Sequence, residues 1–181
     1  MSIYDLIRKR QSDRKYDPDR KVSREVIERI IEAGMLAPSA CNSQPWKFVV
    51  VEEESTRLEV AHATTSVATG TMNKFVASAP VLIVIVEESV NIASRIGGWL
   101  LNQHFAHLDI GIAAENMVLA ATEEGLGSCM IGWCDEKRVR KALDIPRGKR
   151  IPLIIALGYS LEGPKKKVRK PIDKVVSYNK Y

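Results

Sequence analysis

The sequence predicts an α+β or an α/β fold, because segments of helical periodicity alternate with a few separated apolar runs of strand length. Of the 181 residues, 45% are hydrophobic and 27% are charged, which is the composition of an ordinary globular protein. By the scaling of surface with mass, a chain of this size buries roughly 70% of the surface that it exposes when unfolded. We therefore expect one domain over residues 1–181, with an extension that begins at about residue 160.

Two helices are predicted near the N-terminus from their first residues. Ser2 opens a pattern that resembles a capping box, so we expect a short helix that ends near Arg10. Residues 10–21 are polar and contain an Asp-Pro pair, which predicts a loop. Ser23 is a typical N-cap, and the apolar residues after it recur at helical spacing as far as Met35. The second helix is therefore expected to be amphipathic.

Four apolar runs have the length and composition of β-strands. The run at 81–86 is apolar without interruption, as expected for a strand that is buried on both faces. The runs at 48–51, 128–131 and 151–157 are the other predicted strands, because they are rich in β-branched and other apolar residues.

The remaining predicted helices differ in polarity. Residues 100–124 follow a break at Gly97-Gly98 and are Ala-rich and apolar on more than one side. Such a pattern indicates a helix central to a core or to an interface. A further helix is expected over 56–68, and a short basic helix is expected after Asp135.

Charge and cysteine content exclude several classes of protein. The net charge of +5 permits an anionic ligand without demanding one. Cys41, Cys129 and Cys134 are an odd number of cysteines without a close pair, which argues against a disulfide framework or a zinc site. Free thiols fit the reducing cytoplasm, and we expect Cys41 to be a small buried residue. With no apolar run of about 18 residues and no signal-like N-terminus, we expect a cytoplasmic protein without a membrane partner.

Three patterns resemble ligand sites but lack essential parts. The Gly-Leu-Gly at 125–127 follows a helix and lacks the third glycine of a dinucleotide fingerprint. The Gly-Lys at 148–149 lacks the other residues of a phosphate-binding P-loop. His104 and His107 are spaced to share one face of a helix, but a third zinc ligand is missing, so we expect no metal.

Two clusters of cations lie at opposite ends of the sequence. Arg10, Ser12 and Arg14 lie among further basic residues near the N-terminus, and the tail at 164–170 is rich in lysine. Each cluster alone is typical of a solvated surface, and the tail also matches a nucleic-acid-binding patch. Together they could form a phosphate clamp, because arginine offers a planar fork of donors and serine a hydroxyl. The apolar residues at 172–176 indicate that the tail folds back over the core.

Four segments resemble those of one enzyme family. They are RQSDRKY at 10–16, APSACNSQPW at 37–46, the stretch at 114–132 that ends in GLGSCMIG, and KVRKP at 167–171. Their order and spacing are similar to the FMN-dependent nitroreductase family, and they span almost the whole chain. The resemblance implies an α+β fold with a mixed central sheet flanked by helices. It also implies a homodimer, with the long helix at the dimer interface and two FMN sites between the subunits.

The resemblance further implies which residues hold FMN. Arg10, Ser12 and Arg14 are implied to contact the ribityl chain, the phosphate and the pyrimidine edge of the flavin. Lys167 and Arg169 are implied to close on the phosphate from the tail. No side-chain nucleophile or strong base is needed, because the flavin carries the chemistry, and no catalytic residue is expected.

Other implied contacts fall elsewhere in the chain. Gln11 stands where the family more often has Arg or His, and it is included among the implied cofactor contacts. The rest are Pro38, Ser39, Ala40 and Asn42 from the other subunit, Asn73 and Lys74 toward the flavin or the substrate, and the backbone of Met130, Ile131 and Gly132 beside the reactive ring nitrogen.

The implied activity is that of an FMN-dependent NAD(P)H oxidoreductase. Hydride from NADH or NADPH would pass through FMN to a nitro compound, a quinone or a related electron-poor acceptor in a ping-pong scheme. Within the family, the alternative is a relative that uses FMN for reductive dehalogenation, flavin destruction or dehydrogenation. The alternative of another class is a basic nucleic-acid-binding protein, whereas the enzyme interpretation expects no nucleic acid partner.

Overall fold

The computed structural model describes residues 2–65, 72–91 and 103–181. Parts of three predictions lie outside the described residues: the break at Gly97-Gly98, and the segments 66–68 and 100–102 of two predicted helices. The described helices are α1 (Ile3–Lys9), α2 (Arg24–Met35), α3 (Glu54–Ala63), α4 (Phe105–Glu123) and α5 (Glu136–Ala142). The strands are β1 (Trp46–Val51), β2 (Val81–Glu87), β3 (Gly127–Ile131) and β4 (Leu153–Gly158), and 3₁₀ turns lie at Ala40–Asn42, Lys74–Ser78 and Ile172–Lys174.

The helix starts predicted from capping residues are confirmed. Ser2 and Asp5 exchange side-chain and backbone hydrogen bonds, which completes the capping box of α1. The hydroxyl of Ser23 accepts an N–H from the first turn of α2. The carboxylate of Asp135 accepts two N–H groups from the first turn of α5. Local side-chain chemistry therefore determines where these three helices begin.

The four strands form one sheet in the order β1-β2-β4-β3, and every neighbouring pair is antiparallel. β2 and β4 lie at the centre and are buried along nearly their whole length, which explains their uninterrupted apolar sequences. The α+β class is therefore confirmed. Within the described residues, the parallel component expected of a mixed sheet is a single bridge between Ser12 and Ser128.

Helices cover both faces of the sheet. On one face α2 and α4 pack together, and Met117 of α4 shares a core cluster with Ile83 of β2. On the other face, Val60 of α3 and Val139 of α5 share a second cluster with Leu82. Leu82 and Ile83 belong to different clusters because successive residues of a strand point to opposite faces.

The helix α4 carries apolar residues on two sides. Its inner side is buried against α2 and the sheet. Its outer side leaves Leu108 57% exposed and Ile112 43% exposed, and Leu36 at the end of α2 is 76% exposed. The described chain therefore leaves apolar surface uncovered at this helix. Among the described residues, no helix combines the length and hydropathy that a membrane span requires.

After β4 the chain turns back along the segment that precedes α2. Tyr16 and Ser160 form an antiparallel bridge, and the N–H of Leu161 donates to the carbonyl of Lys15 (2.9 Å). The tail therefore folds back onto the N-terminal segment. The apolar side chains at 172–176, which suggested this return, are themselves between 39% and 72% exposed.

Candidate functional site

The segment after α1 carries three residues of the predicted phosphate clamp. The backbone leaves the helix at Arg10, where ψ is 128°, and then runs beside β3. There the N–H of Asp13 donates to the carbonyl of Ser128 (2.9 Å), and Ser12 forms the parallel bridge with the same residue. This pairing with the sheet edge fixes Arg10, Ser12 and Arg14 beside β3.

The tail brings further cations to this segment. Lys167 Nζ donates a hydrogen bond to the carbonyl of Arg10. Desolvation lowers the pKa of Lys167, and the positive charges of Arg10 and Arg169 lower it further, whereas Glu115 and Asp13 act in the opposite direction. The guanidinium of Arg169 donates to the carbonyl of the preceding residue (2.8 Å). Lys167 thus lies beside Arg10 from the opposite end of the sequence, and the positive charge of Arg169 acts on the same amine; such an arrangement favours a bound anion.

The Nε group of Arg10 lacks a hydrogen-bond partner. The atom is buried, and no acceptor among the described residues forms a hydrogen bond with it. Oε1 of Glu115 in α4 forms an ion pair with Nε at 3.5 Å, without the geometry of a hydrogen bond. A buried donor without an acceptor costs about 1–3 kcal/mol. An anionic acceptor at this position would remove that cost.

Arg14 lies beside the short turn Lys74–Ser78. Its guanidinium is 5.9 Å from the centroid of the Phe75 ring, over which it lies. Asn73 precedes the turn with a left-handed φ of 66°, and its side chain donates to the carbonyl of Thr64 (3.0 Å). Lys74 is exposed. The Phe75 ring of this turn thus supports the guanidinium of Arg14 through a cation–π contact, and the hydrogen bond of Asn73 fixes the start of the turn.

The end of β3 presents backbone that is open to solvent. Ile131 is buried, but Gly132 is exposed, and a Cβ built at Gly132 would meet no atom within 4 Å. Cys129 precedes this stretch, and burial raises the pKa of its thiol, while the hydroxyl of Ser12 and the charge of Arg14 oppose that rise. Residues 130–132 therefore continue directly from the part of β3 that Ser12 and Arg14 approach.

The loop after α2 is the second predicted part of the site. The N–H of Ala40 donates to both carboxylate oxygens of buried Asp109 in α4 (3.1 Å each). Ser39 Oγ accepts the N–H of Gln44 (2.9 Å). Cys41 has a left-handed φ of 51°, a conformation that is rare outside glycine. The prediction that Cys41 is buried is wrong, because this turn lies at the surface and leaves the residue exposed.

In the part of the chain that the structure describes, the loop at 38–42 is not linked by polar contacts to the cationic residues of the N-terminal segment and the tail. Within the described residues, no hydrogen bond or ion pair joins residues 38–42 to the cationic segment or to the tail. Pro38 and Asn42 are exposed. The loop is tied to α4 at Asp109, whereas the cations meet α4 at Glu115. The predicted site therefore divides into the loop and a separate cluster, which we call the cationic cluster: Arg10, Ser12, Arg14, Lys167 and Arg169, with the backbone of Met130, Ile131 and Gly132 beside them.

Gln11 uses its side chain within the chain. Its amide donates to Asp13 and to the carbonyl of Gly163, and it accepts the N–H of Lys165. All three partners belong to the N-terminal segment or to the start of the tail. The implied contact of Gln11 with the cofactor is therefore in competition with three contacts inside the protein.

His104 and His107 lie at the start of α4. Their rings stack with centroids 5.6 Å apart, and Nε2 of His107 lies 3.1 Å from Oε2 of Glu87. Over residues 2–65, 72–91 and 103–181, no group of three or more potential metal ligands is present. The two histidines therefore lack a third ligand in that part of the chain.

Similarity to known proteins extends along most of the chain. The sequence model of the nitroreductase family matches residues 7–159. The chain belongs to the nitroreductase family. A nitroreductase family protein of known structure from Clostridium novyi NT is 32% identical, with a TM-score of 0.77, over 92% of this chain and 89% of that chain.

Two further relatives have more specific names. An FMN-dependent nitroreductase of known structure from Clostridium difficile R20291 is 30% identical, with a TM-score of 0.75, over 97% of this chain and 98% of that chain. A protein named NADH dehydrogenase from Thermus thermophilus is 28% identical over 93% of this chain and 91% of its own length. The nitroreductase fold and family expected from the four sequence segments are therefore confirmed.

The cationic cluster of this nitroreductase-family chain fits FMN. The phosphate of FMN carries negative charge and several acceptor oxygens, so it suits three converging cations. It would also satisfy the unpartnered Nε of Arg10. The fit concerns only the phosphate end of FMN, because the cations and the unpartnered Nε of Arg10 are suited to an anion.

Sequence reasoning missed four contributors to the cluster. Asp13 lies inside the RQSDRKY segment, so its place in that motif was a signal that could have drawn attention to it. Phe75, Glu115 and Glu162 reach the cluster through contacts between residues distant in the sequence. Neither periodicity nor a local motif marks such contacts in one sequence.

Proposed function

We propose that this nitroreductase-family chain is an FMN-dependent NAD(P)H oxidoreductase that reduces an electron-poor small molecule. The observation that carries the proposal is the buried Nε of Arg10, which lacks an acceptor where Lys167 and Arg169 converge. The relative from C. difficile R20291 is named an FMN-dependent nitroreductase, and the T. thermophilus relative is named NADH dehydrogenase. These names support FMN as the cofactor and a nicotinamide nucleotide as the electron donor.

In this proposal, Arg10, Lys167 and Arg169 bind the phosphate of FMN. The phosphate accepts from Nε of Arg10 and opposes the lowering of the pKa of Lys167 by desolvation and by the charges of Arg10 and Arg169. Ser12 donates to the ribityl chain, and Arg14 contacts the pyrimidine edge. Because charge-assisted hydrogen bonds are roughly twice as strong as neutral ones, the phosphate contacts dominate the affinity.

Bound FMN supplies hydride acceptance from NADH or NADPH and hydride donation to a nitro compound, a quinone or a related acceptor. Arg14 stabilises negative charge at the pyrimidine side, and Phe75 supports its guanidinium. The backbone at 130–132 orients the ring at its reactive nitrogen. No side chain acts as a nucleophile or general base, and donor and acceptor use one open face in turn, which is a ping-pong scheme.

A second copy of the chain completes the site in this proposal. The exposed Leu108 and Ile112 of α4 lie at the dimer interface, where a partner buries them. The protein is then a cytoplasmic homodimer of one domain, with residues 160–181 as an extension and without a nucleic acid or membrane partner. The residues that line the flavin bound to the partner are Pro38, Ser39, Ala40 and Asn42, and Asn73 and Lys74 approach the flavin or the substrate.

Anaerobic reduction tests this function. Protein loaded with FMN is mixed with NADH or with NADPH, and the flavin absorbance is followed before and after a nitroaromatic compound or a quinone is added. We expect at least one nucleotide to bleach the flavin. After the remaining nucleotide has been removed, we expect an acceptor to restore the colour of the flavin. A flavin that neither nucleotide reduces would contradict the assignment of the donor.

The same cationic cluster would serve relatives that use FMN for dehalogenation, flavin destruction or dehydrogenation. The acceptor arm of the experiment separates dehalogenation from the reaction proposed here. If reduced flavin is reoxidised by halogenated aromatic compounds but not by nitro compounds or quinones, the acceptor class proposed here is wrong. If colourless protein binds DNA in a salt-sensitive manner, a nucleic-acid-binding protein replaces the enzyme.

A further inference from the structure

The side chain of Gln11 joins the N-terminal segment to the tail through three hydrogen bonds. Its Nε2 donates to Oδ1 of Asp13 (2.9 Å) and to the carbonyl of Gly163 (3.1 Å). Its Oε1 accepts the backbone N–H of Lys165 (2.8 Å). An amide is suited to this position because it has both donors and an acceptor, whereas arginine and lysine have no acceptor.

Asp13 anchors this arrangement to the sheet. The residue is only 4% exposed, and its Oδ1 also accepts a hydrogen bond from the hydroxyl of Ser160 (2.7 Å). A Cβ at Gly127 would lie 2.9 Å from the Asp13 carboxylate, so β3 can approach this acid only with glycine there. We call the group of Gln11, Asp13 and Ser160 the clasp. Its hydrogen bonds offset part of the cost of burying the carboxylate.

The clasp fixes the part of the tail that comes just before Lys167 and Arg169. Lys165 also donates from Nζ to the carbonyl of Ser12 (3.0 Å) and to Glu162 (2.8 Å). Glu162 in turn accepts the backbone N–H of Arg14 (2.5 Å). Two residues beyond Lys165, the side chain of Lys167 reaches the carbonyl of Arg10. The bonds of Gln11 thus lie immediately before the two tail cations in the chain.

We propose that Gln11 is a positioning residue, which holds the tail so that Lys167 and Arg169 remain beside Arg10 at the phosphate of FMN. This role rests on the proposed function. The amide of Gln11 does not itself contact FMN, because its hydrogen-bonding groups are used by Asp13, Gly163 and Lys165. Fixing the tail before binding lowers the entropy cost of ordering two long cationic side chains around the phosphate.

The substitution Gln11→Met tests the role, because methionine keeps the length of the side chain and removes its donors and its acceptor. We measure the Kd of the apoprotein for FMN and for riboflavin, which lacks the phosphate. We expect the Kd for FMN to rise roughly tenfold and the Kd for riboflavin to change less than about twofold. A loss of structure alone would weaken both flavins to the same extent.

Amide hydrogen exchange of the apoprotein tests the hydrogen bonds of Gln11 in the absence of flavin. In Gln11→Met, the amide of Lys165 loses its acceptor, so we expect its exchange to accelerate at least roughly tenfold. The amide of Leu161, bound to the carbonyl of Lys15, serves as an internal control and is expected to keep its rate. The matched variant is Gln103→Met, because Gln103 is an exposed glutamine that makes no hydrogen bond to the described residues. It is expected to leave both Kd values and both exchange rates unchanged.

Three results would overturn the positioning role. An equal loss of FMN and riboflavin affinity would make Gln11 a merely structural residue. An unchanged Kd for FMN in Gln11→Met, with a wild-type chain that binds FMN, would show that the clasp does not act on the phosphate. If the wild-type chain binds neither flavin, the proposed function itself fails, and the role of the clasp toward the phosphate fails with it.

Discussion

The cationic cluster and the loop at 38–42 are two parts of one predicted site, but they are built differently. The cluster is assembled from both ends of the chain, and the hydrogen bond from Lys167 to Arg10 spans 157 residues. The loop is local, with a surface turn at left-handed φ tied to α4 through Asp109. The cluster also contains a buried donor without an acceptor. In the function proposed above, the phosphate contacts all come from one chain, whereas the loop that encloses the flavin ring comes from a second chain.

The largest expected difference is in thiol reactivity. Burial raises the pKa of Cys134 to about 11, whereas Cys41 in the loop is exposed. A thiol of pKa about 11 is only roughly a thousandth thiolate at pH 8, and the thiolate is the form that reacts. We expect iodoacetamide to modify Cys41 at least roughly a hundredfold faster than Cys134, as measured by peptide mass spectrometry. Equal rates for the two thiols would contradict the exposed loop.

The next largest effect is expected from removing the two tail cations. In Lys167→Ala/Arg169→Ala, the Kd for FMN is expected to rise roughly a hundredfold, because two charge-assisted contacts to phosphate are lost. The matched control is Lys166→Ala/Lys170→Ala, which removes the same charge from exposed positions of the same tail. Fluorescence titration of the apoproteins measures both Kd values. Similar losses in both variants would show that the overall charge of the tail, rather than a built site, attracts FMN.

A smaller effect is expected from loosening the loop. Asp109→Ala removes the acceptor of the Ala40 N–H, and we expect the free energy of unfolding in urea to fall by about 1–3 kcal/mol. Asp109→Asn keeps one acceptor oxygen and is expected to lose less. The ratio of the Kd values for FMN and riboflavin should not change, because the proposed phosphate contacts lie in the cluster. A change in that ratio would indicate that the loop and the cluster are coupled within one chain.

The smallest expected effect is a dependence of FMN binding on pH. Desolvation and the charges of Arg10 and Arg169 lower the pKa of Lys167 in the free chain, and bound phosphate stabilises the protonated amine and raises it again. Between the two pKa values, binding takes up a proton, so the affinity for FMN falls as pH rises through that window. Titration calorimetry in two buffers of different ionisation enthalpy measures the uptake. Lys167→Met should abolish it, and an equal uptake in that variant would assign the proton to another group.

The sequence predicted the elements better than their long-range contacts. The caps Ser2, Ser23 and Asp135 and the uninterrupted apolar run of β2 are local signals, and each element they predict is confirmed. The tail shows the limit of this reasoning. The two cationic clusters suggested that the tail meets the N-terminal segment, but no periodicity reveals the hydrogen bonds that hold it there, such as that of Lys165 with Gln11, 154 residues away.

The site was predicted in the same uneven way. The motif RQSDRKY pointed to Arg10, Ser12 and Arg14, and these three residues do share the edge of β3 with the start of the tail. Cys41 was expected to be buried because cysteine is usually buried, but the left-handed turn keeps it at the surface. Glu115 was missed because its contact with Arg10 depends on how α1 packs against α4.

The most direct test of the cationic cluster is the flavin content of the purified protein. The visible absorption spectrum is recorded, and the cofactor released by denaturation is identified by chromatography. We predict a yellow protein with about one FMN per chain, since the proposed phosphate site of Arg10, Lys167 and Arg169 occurs once in each chain. A colourless protein that also fails to bind added FMN would contradict the phosphate site and the function proposed from it.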